Sequence, residues 1–151
     1  MGPLRRGADA GDAMKRGIIL HPELSRVIAS LGHGDALVIA DAGLPIPPGV
    51  ERVDLAYAPG KPPFMDVLEA VLAEMEVERA TVAAEIETVT PEAFWRPLRD
   101  RLRSLPKVAK RGVEVVPHEE LKRLTRAGRA VVRTGEFTPY ANAILYSGVV
   151  F

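Results

Sequence analysis

Two residues that could transfer protons or bind a polar ligand flank one short apolar run. His33 lies between two glycines, and Asp41 follows residues 36–40, just before a loop rich in glycine and proline. Short continuous apolar runs with branched residues are typical of buried strands. In open α/β sheets, ligands bind beyond the carboxyl ends of the strands, which is where Asp41 is expected. Because an imidazole can exchange a proton near neutral pH, this segment predicts an acid/base site.

Two further groups of residues could bind a ligand. His118 precedes two glutamates near a predicted helix start, and residues 140–142 (Tyr140, Ala141 and Asn142) lie in a loop between two predicted strands. Tyrosine and asparagine each offer donors and acceptors, which suits the binding of hydroxyl groups. Simpler interpretations stay open, namely a surface-turn role for His33, an Asx turn at Asp41, an exposed His118 and an ordinary loop at residues 140–142.

Composition argues against several functional classes. The chain has 151 residues, 47% of them hydrophobic, and equal numbers of acidic and basic side chains. Such a balance gives no electrostatic reason to expect a nucleic-acid or membrane partner, and no apolar run approaches the roughly 20 residues of a membrane-spanning helix. Cysteine is absent, which excludes disulfides and a thiolate nucleophile and fits a reducing cytoplasm.

The sequence signatures of common cofactor and metal sites are also missing. There is no Gly-x-Gly-x-x-Gly after the first predicted strand, no P-loop and no His-Glu-x-x-His. A Gly-x-Ser-x-Gly nucleophile elbow is absent too. The three histidines, His21, His33 and His118, are far apart in sequence. The sequence therefore predicts an acid/base site that uses neither a cofactor nor a metal.

Helical and strand patterns alternate after residue 13. Helices are predicted over residues 22–31, 64–75, 91–105 and 119–127, with Thr90 as a possible N-cap. Strands are predicted over residues 36–40, 52–56, 79–84, 113–116, 130–133 and 144–149. Strands separated by helices predict a three-layer α/β/α fold with a mostly parallel, mixed central sheet. We expect residues 14–151 to form one domain, and residues 1–13 to be a disordered extension or the product of a misassigned start codon.

Four motifs in order resemble the D-ribose pyranase family over residues 14–151. They are Gly32-His33-Gly34-Asp35, Asp41-Ala42-Gly43-Leu44-Pro45-Ile46-Pro47, Pro63-Phe64-Met65-Asp66-Val67-Leu68 and Gly135-Glu136-Phe137-Thr138-Pro139-Tyr140-Ala141-Asn142. The related L-fucose mutarotases share the first of these. They carry a bulkier residue at the position of Gly43, and the start of the third motif is also of the ribose type. Both details favour the ribose branch.

The resemblance implies an isomerase of ribose catabolism that interconverts the pyranose and furanose forms of D-ribose without a metal or redox cofactor. It implies His33 as the proton donor, and Asp41, His118, Tyr140, Ala141 and Asn142 as substrate contacts, with Ala141 acting through its backbone. It also implies a ring-shaped homo-oligomer, typically a decamer of stacked pentamers, in the cytoplasm.

A subunit interface would explain how His33 and Asp41 can act on the same sugar. Because His33 and Asp41 lie at opposite ends of one predicted strand, we expect them to meet across the interface, where Asp41 could orient His33. The apolar residues 149–151 are a natural contact in such a ring, or equally part of an intrachain strand. The alternatives are an L-fucose-type mutarotase, a non-catalytic sugar-binding module, and a structural partner of a sugar transporter or kinase.

Overall fold

The computed structural model describes residues 14–151, so the expectation for residues 1–13 lies outside the described residues. Within that range the chain forms six strands: β1 (Ala36–Ala40), β2 (Glu51–Asp54), β3 (Val77–Ala83), β4 (Glu114–Val116), β5 (Ala130–Arg133) and β6 (Ala143–Ser147). It also forms five α-helices: α1 (Pro22–Ser30), α2 (Phe64–Glu74), α3 (Glu92–Arg103), α4 (Pro106–Arg111) and α5 (His118–Leu124).

The six strands form one sheet in the order β2-β5-β1-β6-β3-β4. Strands β1, β2 and β5 pair in parallel, as do β3 and β4. Strand β6 runs antiparallel to both of its neighbours, β1 and β3. Five strands therefore point in one direction and β6 alone is reversed, which confirms the predicted mixed, mostly parallel sheet.

Both faces of the sheet are covered, because β1 buries alternate side chains on opposite sides. Leu37 and Ile39 belong to the larger core, to which helices α1 to α4 contribute. Ala36, Val38 and Ala40 belong to a smaller core that includes Leu121 of α5. This is the alternation of side chains along a strand, and it confirms the three-layer α/β/α architecture.

The helix predicted over residues 91–105 is present, but both of its predicted ends are wrong. Thr90 is not an N-cap: Pro91 occupies that position, and the Thr90 hydroxyl donates instead to the carbonyl of Pro139, 2.6 Å away. At the other end Leu105 is extended, as expected of a residue before a proline. Pro106 then starts the separate helix α4, since a proline lacks the N–H of a helix interior but fits its first turn.

Smaller differences concern the ends of other elements. Helix α5 gives way to a tighter 3₁₀ turn, Thr125–Ala127, within the segment predicted as helix 119–127. Strand β2 begins one residue earlier and ends two earlier than predicted, and β3 begins two residues earlier. Strand β6 ends at Ser147, so residues 149–151 are not part of it. No helix in the described part of the chain combines the length and apolar character needed to cross a bilayer.

Candidate active site

One edge of the sheet collects five of the six predicted site residues. Asp41 follows β1, His118 follows β4, and residues 140–142 precede β6. Because β6 runs against the other strands, its amino end lies at the same edge as their carboxyl ends. The register places Ala143 opposite Ile39, which brings Asn142 beside the end of β1. The mixed topology thus assembles residues about a hundred positions apart in sequence.

Asp41 is held by a fully buried neighbour, Asn142. The backbone N–H of Asp41 donates to Asn142 Oδ1 at 2.8 Å, and Asn142 Nδ2 donates to Asp41 Oδ2 at 3.2 Å. The other carboxylate oxygen, Oδ1, accepts the N–H of Gly43 at 3.0 Å, as in an Asx turn. Asp41 therefore forms the Asx turn that shapes the loop. It also borders a cleft, described below, so the structural and the ligand-binding interpretations of Asp41 are compatible.

The electrostatic state of Asp41 follows from its partial burial. Burial raises the pKa of this carboxyl group, because removal from water penalises the charged form. The hydrogen bonds from Gly43 and Asn142, and the charge of a protonated His118, act in the opposite direction and favour the carboxylate. The group accordingly ionises at higher pH than an ordinary aspartate and still presents an acceptor to the cleft once it is charged.

His118 is fixed by a residue that the sequence did not single out. Its backbone N–H donates to both carboxylate oxygens of Glu85, at 3.0 and 3.1 Å. The imidazole packs edge-on against the ring of Tyr140, with centroids 4.9 Å apart. Its Nδ1 atom is buried and has no hydrogen-bond partner among residues 14–151. Buried polar atoms are almost always paired, so this nitrogen is an exception within the described residues.

The backbone at Tyr140 is unusual. Its φ angle is 61°, in the left-handed region that non-glycine residues seldom occupy. The turn is closed by the N–H of Asn142, which donates to the Tyr140 carbonyl at 2.9 Å. Such conformations persist only where the surroundings enforce them, and they cluster at functional sites. Here the turn lets Tyr140 face His118 while Asn142 is buried against Asp41.

Glu136 ties two of the motifs together. Its carboxylate accepts the N–H of Phe64 at the start of α2, at 2.9 Å, and the hydroxyl of Thr138 at 2.7 Å. Its carbonyl accepts the N–H of Ala42 at 2.8 Å. A carboxylate at a helix amino terminus also complements the helix dipole. Glu136 therefore connects α2, the loop before β6 and the loop after Asp41.

Gly135 is required where two chain segments touch. Its N–H donates to the Pro62 carbonyl, and its own carbonyl accepts the N–H of Gly60. A Cβ at this position would lie 2.3 Å from the Lys61 carbonyl oxygen and 2.4 Å from the Lys61 nitrogen. Only glycine permits this approach, which brings the loop before β6 against the segment leading to α2.

Two adjoining clefts open beside Asp41. One, of about 410 Å³, is lined by Asp41, Gly43, Leu44, Pro45, Val89, His118, Pro139 and Tyr140. The other, of about 490 Å³, lies on the Arg133 side and shares Asp41, Gly43 and Pro139 with the first. Both volumes fall within the range of small-molecule sites. Arg133 Nε donates to the Ala42 carbonyl at 3.0 Å, and its Nη1 binds the Asp54 carboxylate, so it supports the loop after Asp41.

His33 lies at the opposite edge of the sheet, before β1. With about 3.3 Å of rise per strand residue, the length of β1 separates it from Asp41 by roughly 20 Å. Within one chain Asp41 therefore does not orient His33. The imidazole Nε2 instead lies 2.9 Å from Oε2 of Glu78. Sequence patterns gave no signal for Glu78 or Glu85, because each acts through a neighbour that is distant along the chain. Glu136 lies within the fourth motif, but its contacts with Phe64 and Ala42 were not predicted.

The three histidines do not converge on a metal site. In the part of the chain that the structure describes, no group of three or more histidine and acidic side chains is arranged to hold a metal ion. His21 Nδ1 instead accepts the N–H of Leu24 at 3.2 Å, which caps helix α1.

Comparison with known sequences matches residues 14–150 to the model of the RbsD / FucU transport protein family. A D-ribose pyranase of Laribacter hongkongensis is 56% identical over 138 residues, which cover 91% of this chain and all of that protein. A D-ribose pyranase of Chloroflexus aggregans is 50% identical, with the same coverage of both chains.

Solved structures show the same fold. Bacillus subtilis RbsD, solved in complex with D-ribose, matches with a TM-score of 0.81 and 44% identity, covering 92% of this chain and all of that one. The fucose mutarotase of Streptococcus pneumoniae, solved with L-fucose, matches with a TM-score of 0.70 over 86% of this chain and 94% of its own. At 24% identity, the second likeness concerns the fold alone.

Proposed function

The chain belongs to the RbsD / FucU transport protein family, and on that premise we propose that it is a D-ribose pyranase, an isomerase that interconverts the pyranose and furanose forms of D-ribose. The main support is its identity of 50% or more to D-ribose pyranases that it covers from end to end. Bacillus subtilis RbsD, solved in complex with D-ribose, has the same fold and is 44% identical to this chain. We also infer that residues 14–151 act as one domain and that the protein works in the cytoplasm, in line with its lack of cysteine.

The cleft beside Asp41 is the proposed sugar site. A sugar offers many hydroxyl groups and little apolar surface, so its binding needs several converging hydrogen-bond partners. Asp41 would accept a hydrogen bond from a sugar hydroxyl, and His118, which also lines the cleft, would be a further contact. Tyr140 would contribute its hydroxyl, and Ala141, whose side chain is fully buried, would act through its backbone. Asn142 would hold Asp41 in place.

The reaction requires two proton transfers and no change of oxidation state. A base takes the proton of the anomeric hydroxyl while the bond between the anomeric carbon and the ring oxygen breaks, which leaves an aldehyde. The ring oxygen receives a proton and becomes a hydroxyl group. Attack on the aldehyde by a different hydroxyl, with the reverse proton transfers, closes a ring of the other size. His33 is the proposed proton carrier, directly or through water, because imidazole titrates near neutral pH.

A complete site then needs two subunits. Since His33 and Asp41 lie at opposite edges of the sheet, His33 of one copy would serve the Asp41 cleft of a neighbouring copy. The proposed assembly is a homo-oligomer, with a decamer of stacked pentamers as its specific form. Val150 and Phe151 are 86% and 99% exposed in the single chain and would be buried against a neighbour. Removal of these two residues is expected to reduce the sedimentation coefficient.

Proton NMR of D-ribose tests the activity. Saturation transfer between the anomeric signals of the pyranose and furanose forms is expected to increase when the protein is added. The increase should be lost in His33→Ala and strongly reduced in Asp41→Asn. A response of L-fucose but not of ribose would assign the chain to the fucose-type alternative. A lack of response to both sugars would leave a binding or assembly role.

Mixing the inactive His33→Ala variant with the weakly active Asp41→Asn variant tests the shared site. His33→Ala and Asp41→Asn subunits, dissociated and reassembled together, should form some interfaces that contain an intact His33 and an intact Asp41. The mixture is therefore expected to be more active than either variant dissociated and reassembled alone. Mixed assemblies that sediment normally and stay inactive would exclude a site shared between subunits.

A further inference from the structure

Several hydrogen bonds hold the turn that carries His33. The N–H of Asp35 donates to the Gly32 carbonyl at 3.1 Å, and Gly34 has a φ angle of 85°. A four-residue turn with a glycine of positive φ at its third position is typical of type II. The Asp35 carboxylate also accepts the N–H of Gly32 at 2.8 Å and binds Arg129 at 3.0 Å. His33 therefore occupies a fixed corner of the chain.

Strand β6 anchors the same turn from the other side. The Gly34 N–H donates to the Ser147 carbonyl at 2.7 Å, and the Ser147 N–H donates to the Asp35 carbonyl at 2.8 Å. The backbone position of His33 is thus tied to the sheet, and the orientation of its imidazole depends on the side chains around it.

Glu78 meets that imidazole from a β-bulge in β3. Val77 pairs with Ser147 and Arg79 pairs with the preceding residue, Tyr146, so Glu78 is an extra residue in the ladder. Bulges redirect side chains and are frequent beside active sites. Here Glu78 Oε2 lies 2.9 Å from Nε2 of His33. The side chain of Glu78 is 26% exposed, whereas that of His33 is 60% exposed.

The charged side chains nearest Glu78 each form an ion pair with another residue, although the charge of Glu78 also acts on Arg79. Arg79, the next residue on β3, binds Glu114 through Nε at 2.9 Å and lies over the ring of Tyr146. Glu76 pairs with Lys107 at 3.4 Å. Asp35 of the turn itself pairs with Arg129.

We propose that Glu78 is a positioning residue that fixes the tautomer and orientation of His33, an inference that rests on the proposed role of His33 in proton transfer. A carboxylate has only acceptor atoms, so Nε2 must carry the proton in their hydrogen bond. The other ring nitrogen, Nδ1, is then free of a proton in the neutral imidazole and is the atom that takes a proton from the sugar and returns it. Glu78 acts through the orientation and tautomer of His33 and does not itself contact the sugar.

Glu78→Gln tests this role, because an amide can pair with either tautomer of the imidazole. In the unaltered protein, long-range 1H–15N spectra are expected to show His33 only as its Nε2–H tautomer; the His33→Ala spectrum identifies its signals among the three histidines. In Glu78→Gln both tautomers should appear. The kcat for ribose should fall about tenfold with KM unchanged, a fraction of the roughly 10²–10⁴-fold supplied by a general acid–base group.

Glu76→Gln is the matched control, since it removes a nearby carboxylate that binds Lys107 and not His33. It should leave the tautomer and kcat unchanged. The proposal is overturned if Glu78→Gln keeps the single tautomer and full kcat. It is also overturned if kcat falls only because the assembly dissociates. If either result is found while His33→Ala abolishes activity, the proposed function stands and this inference alone fails. A fully active His33→Ala protein overturns both.

Discussion

Asn142 uses both polar atoms of its side-chain amide to hold Asp41. It accepts the backbone N–H of Asp41 at 2.8 Å and donates to the Asp41 carboxylate at 3.2 Å. The Asn142 residue is fully buried, so its amide is committed to the protein and does not extend into the cleft. We therefore expect Asn142 to influence sugar binding through Asp41.

Replacement of Asn142 by alanine is expected to weaken both the fold and the site. The N–H of Asp41 would lose its partner, and an unsatisfied buried polar group costs about 1–3 kcal/mol. Ribose binding, measured by calorimetric titration, should weaken because the Asp41 carboxylate is no longer oriented. Thr125→Val is a suitable control, since it removes another buried hydrogen bond, to the Lys122 carbonyl, away from Asp41. Equal ribose affinity in Asn142→Ala and in the control would contradict the positioning role.

Ribose affinity is expected to decrease as the pH falls, because Asp41 must be ionised to act only as an acceptor. Burial raises the pKa of this carboxyl group. Its protonation, and with it the loss of affinity, should therefore begin at a higher pH than for an exposed aspartate, whose pKa is about 3.9. Titrations of ribose binding across the acid range measure this dependence. In Asp41→Asn, affinity should be low and nearly independent of pH; a profile unchanged by that substitution would assign the titration to another group.

Gly135→Ala is expected to destabilise the protein. The added Cβ would lie 2.3 to 2.5 Å from backbone atoms of Lys61, so one of the two segments must move. Overpacking of this kind costs about 1–3 kcal/mol, and occasionally more. Gly32→Ala is the control, because its Cβ would lie 3.5 Å from the Asp35 carboxylate and meets nothing closer. Denaturant unfolding compares the two variants, and similar free energies of unfolding would refute the steric argument.

The Arg79–Glu114 pair is expected to contribute to stability only when Glu114 is ionised. The hydrogen bond from Arg79 lowers the pKa of Glu114 in the folded protein. The stabilisation is therefore complete above the pKa of an unfolded glutamate, about 4.3, and is lost as the pH falls through the lower folded value. Because the Glu114 side chain is 40% exposed, we expect about 0.2–1 kcal/mol.

Unfolding of Glu114→Gln measures this contribution. The variant should be less stable than the unaltered protein at pH 7, and the difference should disappear in strong acid, where Glu114 is protonated in both states. A difference in stability that stays constant down to that pH would show that packing, and not charge, is responsible.

The local sequence determined much of the fold and singled out the candidate site residues. The apolar run of residues 36–40 predicted both ends of β1 correctly. All five residues of the strand are buried, because both faces of the sheet are covered, so the run contains no polar residue. The order of helix and strand patterns was enough to predict the α/β/α layers. Asp41, His118 and Tyr140 were predicted as site residues from their motifs, and the structure places all three at one cleft.

Tertiary structure alone decided how those residues are arranged. The reversal of β6 brings Asn142 to Asp41, and the bulge at Glu78 provides a partner for His33. The sequence pattern cannot specify these contacts, because strand order, register and bulges depend on interactions between segments far apart in the chain, and no residue spacing encodes them.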